Sequence, residues 1–485
     1  MPAKPSSAPP TSWTRPWRSS SCWIDGGGGS GGAVALDRGR RPLRIQGRAA
    51  YSREPNGRGA LPTRLLAIGD IHLGRTTNRL PDGVDPARVG PETALRQAVR
   101  TARRLQVSAV LLAGDVADQE HDLYHAHGIL TEILGELGTA GIPVLAVAGN
   151  HDHETLPRLA RALPALQILG RNGTWETATV TGEGGPVDVL GWSFPGPHHA
   201  ASPAADLPRR AGSAPTVGLL HADLDATGSR YAPVSRHELA AAGTVRWLLG
   251  HIHQPSLSPA DERPGYLGSL VGLHPGETGP RGPWLVEVDG ATITLRHLVQ
   301  APLRWQTLDV PVDAIAEPDE ELAAHVAEAL RDLAAREAAD LAEAEVVGVR
   351  VRLVGRTAGY AALARAASGL GQARFPVVCD EQTLFVDAIA NDSEPLHDLD
   401  QLARGDDLPG LLARELVAVR DGRAADLVTD LRATLGRVDL QQAFVALGSP
   451  IEDHDDDGIR ARTLRAGYRL LDDLLASREV PRGPA

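Results

Sequence analysis

Sulfur, aromatic surface and lysine are all scarce in this chain of 485 residues, which holds 2 Cys, 1 Met and 4% aromatic residues. Cys22 and Cys379 lie far apart in sequence, which argues against a disulfide scaffold and against cysteine-based metal sites, and suits the cytoplasm. Long hydrophobic runs are missing as well: no stretch approaches the roughly eighteen apolar residues of a membrane span. No apolar segment follows the Pro-, Ser- and Trp-rich start or Arg40-Arg41, so neither a secretory nor a twin-arginine signal is read there. Lys4 is the only lysine; with abundant Ala and Gly, that preference reads as the coding bias of a GC-rich genome. A net charge of −12 excludes indiscriminate nucleic-acid binding and leaves room only for local contacts.

What remains is the composition of a globular protein, 42% hydrophobic and 23% charged, long enough for two or three domains. Residues 1–64 stand apart: they contain "IDGGGGSGG" and carry eleven Lys and Arg against three Asp and Glu. They read as a disordered basic N-terminal extension. From Leu65 the pattern becomes regular. "RLLAIGD" (Arg64–Asp70), "AVLLAGD" (Ala109–Asp115) and "VLAVAGN" (Val144–Asn150) are short apolar runs, each closed by Gly and a polar residue. Helix-like segments at Glu92–Val107 and Asp122–Leu137 separate them, so βαβ units and a parallel core sheet are expected. "TVGLLH" (Thr216–His221) and "VRWLLGHIH" (Val245–His253) have the same form, and Asp289-Gly290 marks a hairpin. After Pro302 come strand-like "LDVPV", a long amphipathic helix pattern over Pro318–Ala344, strand-like "VVGVRVRLVG" (Val346–Gly355), and a helix-rich tail beyond about 395.

Ligands of parallel sheets gather at the carboxyl ends of the strands. There this sequence places Asp70 and His72 ("GDIH"), Asp115 ("GDVAD"), Asn150-His151 ("GNHD"), His221 ("LLHAD") and His251 with His253 ("GHIH"). No competing Ser or Cys nucleophile accompanies them. Four histidines, two aspartates and one asparagine can satisfy two metal ions if one carboxylate bridges. Oxygen and imidazole donors without thiolate suit Mn2+, with Fe or Zn as alternatives.

This ordered set resembles the calcineurin-like metallophosphoesterase superfamily, and within it is most similar to the nuclease subunit of the SbcCD/Mre family. "GDIHLG" (Gly69–Gly74), "YAPVSRHEL" (Tyr231–Leu239) and "YLGSLVGLHPGETGPRGPWLVEVDG" (Tyr266–Gly290) extend the resemblance beyond the metal motifs. It implies an α/β fold: a phosphoesterase β-sandwich flanked by helices (α/β/β/α) over 65–302, a smaller α+β capping, DNA-positioning domain over 303–395, and a helical C-terminal region over 396–485. It further implies one metal held by Asp70, His72, Asp115 and His253, and a second held by Asp115, Asn150, His221 and His251, with Mn2+ as the metal. His151 would act on the scissile phosphate, oriented by Asp118, and Arg75 would touch the nucleic-acid backbone. The implied activity is that of a metal-dependent DNA exonuclease and endonuclease of double-strand-break repair. The implied partners are DNA, an SMC-like coiled-coil ATPase docked on the C-terminal helices, and a second copy of the chain. Metal motifs alone leave open a phosphoesterase for nucleotides or other small phosphoesters, whereas the full ligand set disfavours a non-catalytic scaffold.

Neighbouring residues receive plainer readings. Asp152 matches the G-N-H-D motif of the family it resembles and reads at least as well as a cap for the helix that follows it. His121, His125 and His127 read as a solvated helix start. "DHDDDG" (Asp453–Gly458) resembles an EF-hand loop, but Leu464 occupies the position that needs a bidentate glutamate, so an exposed acidic loop is expected.

Overall fold

Runs that are apolar at every position, without polar alternation, make strands covered on both faces. β2 (Ala109–Ala113) and β3 (Val144–Val147) are of this kind, β1 (Thr63–Ile68) becomes so after Arg64, and β4 (Leu166–Ile168) at the edge exposes Gln167; all four pair in parallel. The structure is a computed structural model describing residues 61–77, 79–208, 214–243, 245–439 and 456–479. The chain divides into two units, Met1–Gly59 and Ala60–Ala485, and all that follows concerns the second. The expected N-terminal extension lies outside the described residues except for its last four. β1 already begins at Thr63, whose hydroxyl donates to Gly185 O at 2.7 Å and whose backbone pairs with Val288.

The remaining strands are β5 (Trp175–Gly182), β6 (Gly185–Trp192), β7 (Thr216–His221), β8 (Val245–Gly250), β9 (Gly265–Tyr266), β10 (Trp284–Asp289) and β11 (Thr292–His297), followed by β12 (Leu303–Pro311), β13 (Val346–Val354), β14 (Arg356–Thr357), β15 (Pro376–Cys379), β16 (Gln382–Asn391) and β17 (Glu394–Pro395). The helices are α1 (Pro86–Val89), α2 (Pro91–Arg104), α3 (Leu123–Thr139), α4 (Thr155–Ala162), α5 (Arg236–Ala240), α6 (Pro318–Arg336), α7 (Tyr360–Gln372), α8 (Leu399–Leu402), α9 (Leu408–Arg420), α10 (Ala425–Asp439) and α11 (Asp456–Glu479).

One sheet has the order β11-β10-β1-β2-β3-β4 and a second the order β5-β6-β7-β8-β9. Side chains alternate across a strand, so β1 splits its burial: Leu65 and Ala67 enter the core between the two sheets, while Leu66 and Ile68 meet the helices behind. Val217 and Leu219 of β7 and Leu248 of β8 close the inter-sheet core from the other side. Each such fully buried side chain contributes about 1.5–3 kcal/mol. α2 starts with Pro91 and Glu92, ends with Arg103 and Arg104, and buries Ala94, Leu95, Ala98, Val99 and Ala102 along one stripe. The expected hairpin is present, with Asp289 opposite Thr292.

A third sheet, β12-β13-β16-β15, is covered by α6 and α7 through Leu322, Val326, Leu330 and Leu363. Its first strand is not hung on a linker: Leu303 and Trp305 belong to the same core as α2 and α3. α6 stops at Arg336 instead of continuing to Ala344. The chain turns after Glu337, burying Leu341 and offering Asp340 O to the Arg304 guanidinium at 3.1 Å. Tyr360, Leu416, Tyr468 and Leu471 form a separate small core among the C-terminal helices. Asp456, Asp457 and Gly458 make the first turn of α11 instead of an exposed loop, and residues 453–455 lie outside the described residues. Among the described residues, no helix is long and apolar enough to cross a membrane.

Candidate metal centre

The carboxyl ends of β1, β2 and β3 in one sheet and of β7 and β8 in the other meet at one edge of the sandwich. Leaving a strand sharply at such an edge requires unusual backbone. Asp70, His72, Asp115 and His251 all have positive φ, at 42°, 54°, 50° and 104°. Non-glycine residues rarely adopt that region, and strain of this kind collects at functional sites. The glycines beside them make room. A Cβ on Gly149 would run into Asp115 Oδ1, and one on Gly114, at φ +88°, would meet the His221 ring.

Asp70, His72, Asp115 and His221 are each at most 2% exposed. Asp115 Oδ2 stands between two imidazoles, 3.8 Å from His72 Nε2 and 3.4 Å from His221 Nε2, as a shared carboxylate must. Asn150 Oδ1 is 3.0 Å from His221 Nε2 and 3.1 Å from His251 Nδ1. Asp70 Oδ1 accepts from the His251 backbone N–H at 2.9 Å, while Asp70 Oδ2 is buried without any partner.

The outer partners fix which ring nitrogen faces inward. His221 Nδ1 donates to Ala113 O at 3.0 Å, since a carbonyl only accepts, so Nε2 is the nitrogen that faces inward. His72 Nδ1 is 2.8 Å from Asp118 Oδ1, and His253 Nδ1 is 2.8 Å from Glu277 Oε1. Both carboxylates are held below their usual range: burial opposes this, and the hydrogen bond from the histidine prevails. Both rings therefore turn Nε2 inward, 3.0 Å apart, and the surrounding carboxylates raise His72 against the pull of burial. An orphaned buried carboxylate oxygen is costly alone, and a cation beside these inward-facing nitrogens relieves it. The donors fit a pair of divalent ions.

Charge within the cluster is similarly polarised. Burial works against the Asp115 anion, but His221 and His72 overcome it and hold the carboxyl well below the usual range. Burial would lower His221, yet Asp115 and Asp70 push it up to about 9. Burial and the nearby His221 charge bring His251 down to about 4.

Residues 63–255 match the calcineurin-like phosphoesterase family. The chain carries a calcineurin-like metallophosphoesterase domain. The chain is 28% identical over 258 residues to the uncharacterized metallophosphoesterase YhaO of Bacillus subtilis (strain 168), across 51% of this chain and 62% of that one. It is 29% identical over 259 residues to the DNA double-strand break repair protein Mre11 of Aeropyrum pernix, across 50% of this chain and 62% of that one. The match thus spans less than two thirds of either relative's length. Among solved structures, the calcineurin-like phosphoesterase YfkN of Bacillus subtilis is 13% identical, with a TM-score of 0.33 over 49% of this chain and 89% of that one. That likeness is too slight to bear on function. A metallophosphoesterase domain is a hydrolase of phosphoesters.

Around the buried donors of the metallophosphoesterase domain lie its polar neighbours. His151 is exposed at the rim; its backbone N–H donates to Asp115 Oδ1 at 3.0 Å, and its ring stands 5.2 Å from that of His72. The expected contact from Asp118 differs in kind. His151 Nδ1 donates to the Asp118 backbone carbonyl at 2.9 Å, because the Asp118 carboxylate is already taken by His72. Arg75 is half-buried one turn past His72, its N–H donating to His72 O at 3.0 Å, and its charge helps to hold Asp118 ionised.

Asp152 is not a helix cap: its carboxylate turns inward, accepting from Val116 N and Gly149 N at 2.7 Å each, and so staples the ends of β2 and β3. Burial and the neighbouring Asp115 raise it to about 6. His153 donates to Asn150 O at 3.1 Å. His121 and His125 are solvent-exposed, and neither belongs to a metal-holding cluster among the described residues. Two residues near the metal centre were not read from sequence: Glu277, and Asp223, whose Oδ1 lies 3.2 Å from His251 Nε2. Asp223 carried a signal, a carboxylate two residues beyond a strand-end histidine. Glu277, far along a Pro- and Gly-rich stretch, carried none.

Proposed function

We propose that this metallophosphoesterase hydrolyses DNA phosphodiester bonds, as a Mn2+-dependent exonuclease and endonuclease subunit of double-strand-break repair. The observation that carries the reading is the pairing of a buried two-ion donor set with one exposed histidine, His151, at its open rim. The relative from Aeropyrum pernix, a DNA double-strand break repair protein, supports DNA as the substrate. Residues 65–302 are then the nuclease domain and 303–395 position DNA. The C-terminal helices from 396 dock an SMC-like coiled-coil ATPase, and a second copy of the chain completes a dimer. A chain with net charge −12 gains from a partner that captures DNA.

Asp70, His72, Asp115 and His253 would hold one ion, and Asp115, Asn150, His221 and His251 the other. Bound divalent ions polarise phosphoryl oxygens and make water acidic enough to attack near neutral pH. His151 keeps Nδ1 on the Asp118 carbonyl and so presents Nε2 to substrate, where its protonated form steadies the phosphoryl oxygens or protonates the leaving oxygen. Asp118 holds His72 in the tautomer that ligates, and Arg75 meets a backbone phosphate outside the cleavage point.

The test is digestion of linear double-stranded DNA by the purified chain with Mn2+, with a chelator control and a chromogenic phosphodiester in parallel. Metal-dependent degradation of DNA is expected. Turnover of the small diester with no DNA cleavage, even after the ATPase partner is supplied, would contradict the DNA assignment and leave a small-molecule phosphoesterase.

A further inference from the structure

The segment between β9 and β10 grips His253 from two sides. Glu277 Oε1 accepts from His253 Nδ1 at 2.8 Å, and its other oxygen accepts from Leu273 N at 3.0 Å. Arg281, fully buried, donates to the His253 carbonyl and reaches Gln254 Oε1 at 2.8 Å and Thr278 O at 3.1 Å. Ser269 N adds a second hydrogen bond to His253 O at 2.9 Å. Ring and backbone of one histidine are thus set by a single loop. That loop is fastened in turn to β12. Trp305 Nε1 donates to Gly272 O at 3.0 Å, Arg304 Nε to Gly279 O at 2.8 Å, and Gly279 N to Trp305 O at 3.2 Å. Trp305 and Arg304 are 0% and 2% exposed, so these bonds are shielded from water.

We propose that Glu277 is a positioning residue for His253, selecting its Nδ1–H tautomer, and that β12 holds Glu277 in place and so sets metal affinity from outside the phosphoesterase domain. The inference rests on the two-ion reading of the centre and is independent of DNA as substrate. A neutral imidazole left to water favours the Nε2–H form. In that form, His253 would aim an N–H, not a lone pair, at His72 Nε2 and at any cation between them. A carboxylate on Nδ1 reverses the preference and raises the basicity of the inward nitrogen. Glu277 does both without touching the metal.

Two measurements on the full chain test this apart from hydrolysis. In the metal-free, 15N-histidine-labelled protein, long-range 1H–15N spectra should show His253 protonated at Nδ1. Glu277→Ala should move it to the Nε2–H form, and Glu277→Gln, which keeps a carbonyl acceptor of the same shape, should retain Nδ1–H. Calorimetric titration with Mn2+ should show one of two binding events weakened by roughly 10–100-fold in Glu277→Ala, with Glu277→Gln recovering most of the loss. Trp305→Phe, which removes the indole N–H and keeps an aromatic ring, should weaken the same event by a few-fold. Metal-free melting temperatures control for folding. Wild-type tautomer and affinity in Glu277→Ala would overturn the proposal, as would Glu277→Gln behaving like Glu277→Ala. Wild-type affinity in Trp305→Phe would overturn the role of β12. Two Mn2+ events in a wild-type chain that cleaves no DNA would leave this inference standing and the DNA reading fallen.

Discussion

At the carboxyl ends of β1, β2, β7 and β8 the chain delivers aspartates and imidazoles into one buried space. At the carboxyl ends of β12, β13 and β16, which are also parallel, it delivers polar residues that close on local partners. Asp313 accepts from Arg356 N at 3.0 Å, Asp392 pairs with Arg465 at 3.3 Å, and Ser393 donates to Asn391 Oδ1 at 2.6 Å. The first edge keeps its contradictions. Asp70 Oδ2 is the one buried carboxylate oxygen without a partner among the described residues, and two imidazole Nε2 atoms are crowded to 3.0 Å. Topology makes both edges eligible to bind something. An orphaned buried carboxylate and left-handed backbone at non-glycine residues separate the edge built for a ligand from the one built for stability.

Breaking the shared carboxylate should erase that difference most completely. Asp115→Asn is expected to lose the two-ion stoichiometry and more than about 10³-fold in phosphodiester hydrolysis, matching chelator-treated wild type. Retained activity would remove Asp115 from its bridging role. His151→Ala is the sharper cut, because its side chain is exposed and the donors beneath stay in place. Hydrolysis should fall by about 10²–10⁴-fold while calorimetry still counts two ions.

Core truncations compare the regions on equal terms. Leu219→Ala, between the sandwich sheets, and Leu384→Ala, under α6 and α7, both remove fully buried side chains. Each should cost about 2–5 kcal/mol in urea unfolding, and only Leu219→Ala, on the strand that ends in His221, should also weaken Mn2+ binding. Equal weakening by both would show the two edges to be one mechanical unit.

The smallest effect is a pH dependence outside the metal centre. Burial holds His297 down at about 4, below its ordinary 6.5, with Gly282 O as its partner. Between those values the unfolded chain takes up a proton that the folded chain refuses, so stability is lost as pH falls through this window. With partial exposure discounted, the loss is up to about 2 kcal/mol. His297→Phe, which keeps a ring against Trp284 at 4.5 Å, should flatten the stability profile between pH 6.5 and 4. Superimposable profiles would show that His297 does not titrate there.

Local chemistry explains what the sequence made legible. Strands β1, β2, β3 and β8 announce themselves as apolar runs ending in Gly and a polar residue, and β7 as one ending directly in histidine, so the sequence alone puts Asp70, Asp115, Asn150, His221, His251 and His253 at strand ends. Contacts made across the chain could not. Asp118 lies close in sequence to the motif it serves, yet nothing local says that its carboxylate turns to His72 while its carbonyl takes His151. Asp152 looks like a cap because it precedes a helix, but the charge is drawn inward by two free backbone N–H groups at strand ends. α6 ends early because Leu341 finds a buried seat, a tertiary gain that outweighs helix periodicity.

The most direct test of the account is electron paramagnetic resonance of the Mn2+-loaded chain, titrated from zero to excess metal. Two ions per chain with a spin-coupled signal, reduced to uncoupled or absent Mn2+ in Asp115→Asn, is the predicted result. A single uncoupled ion at saturation, or none, would contradict the two-ion centre.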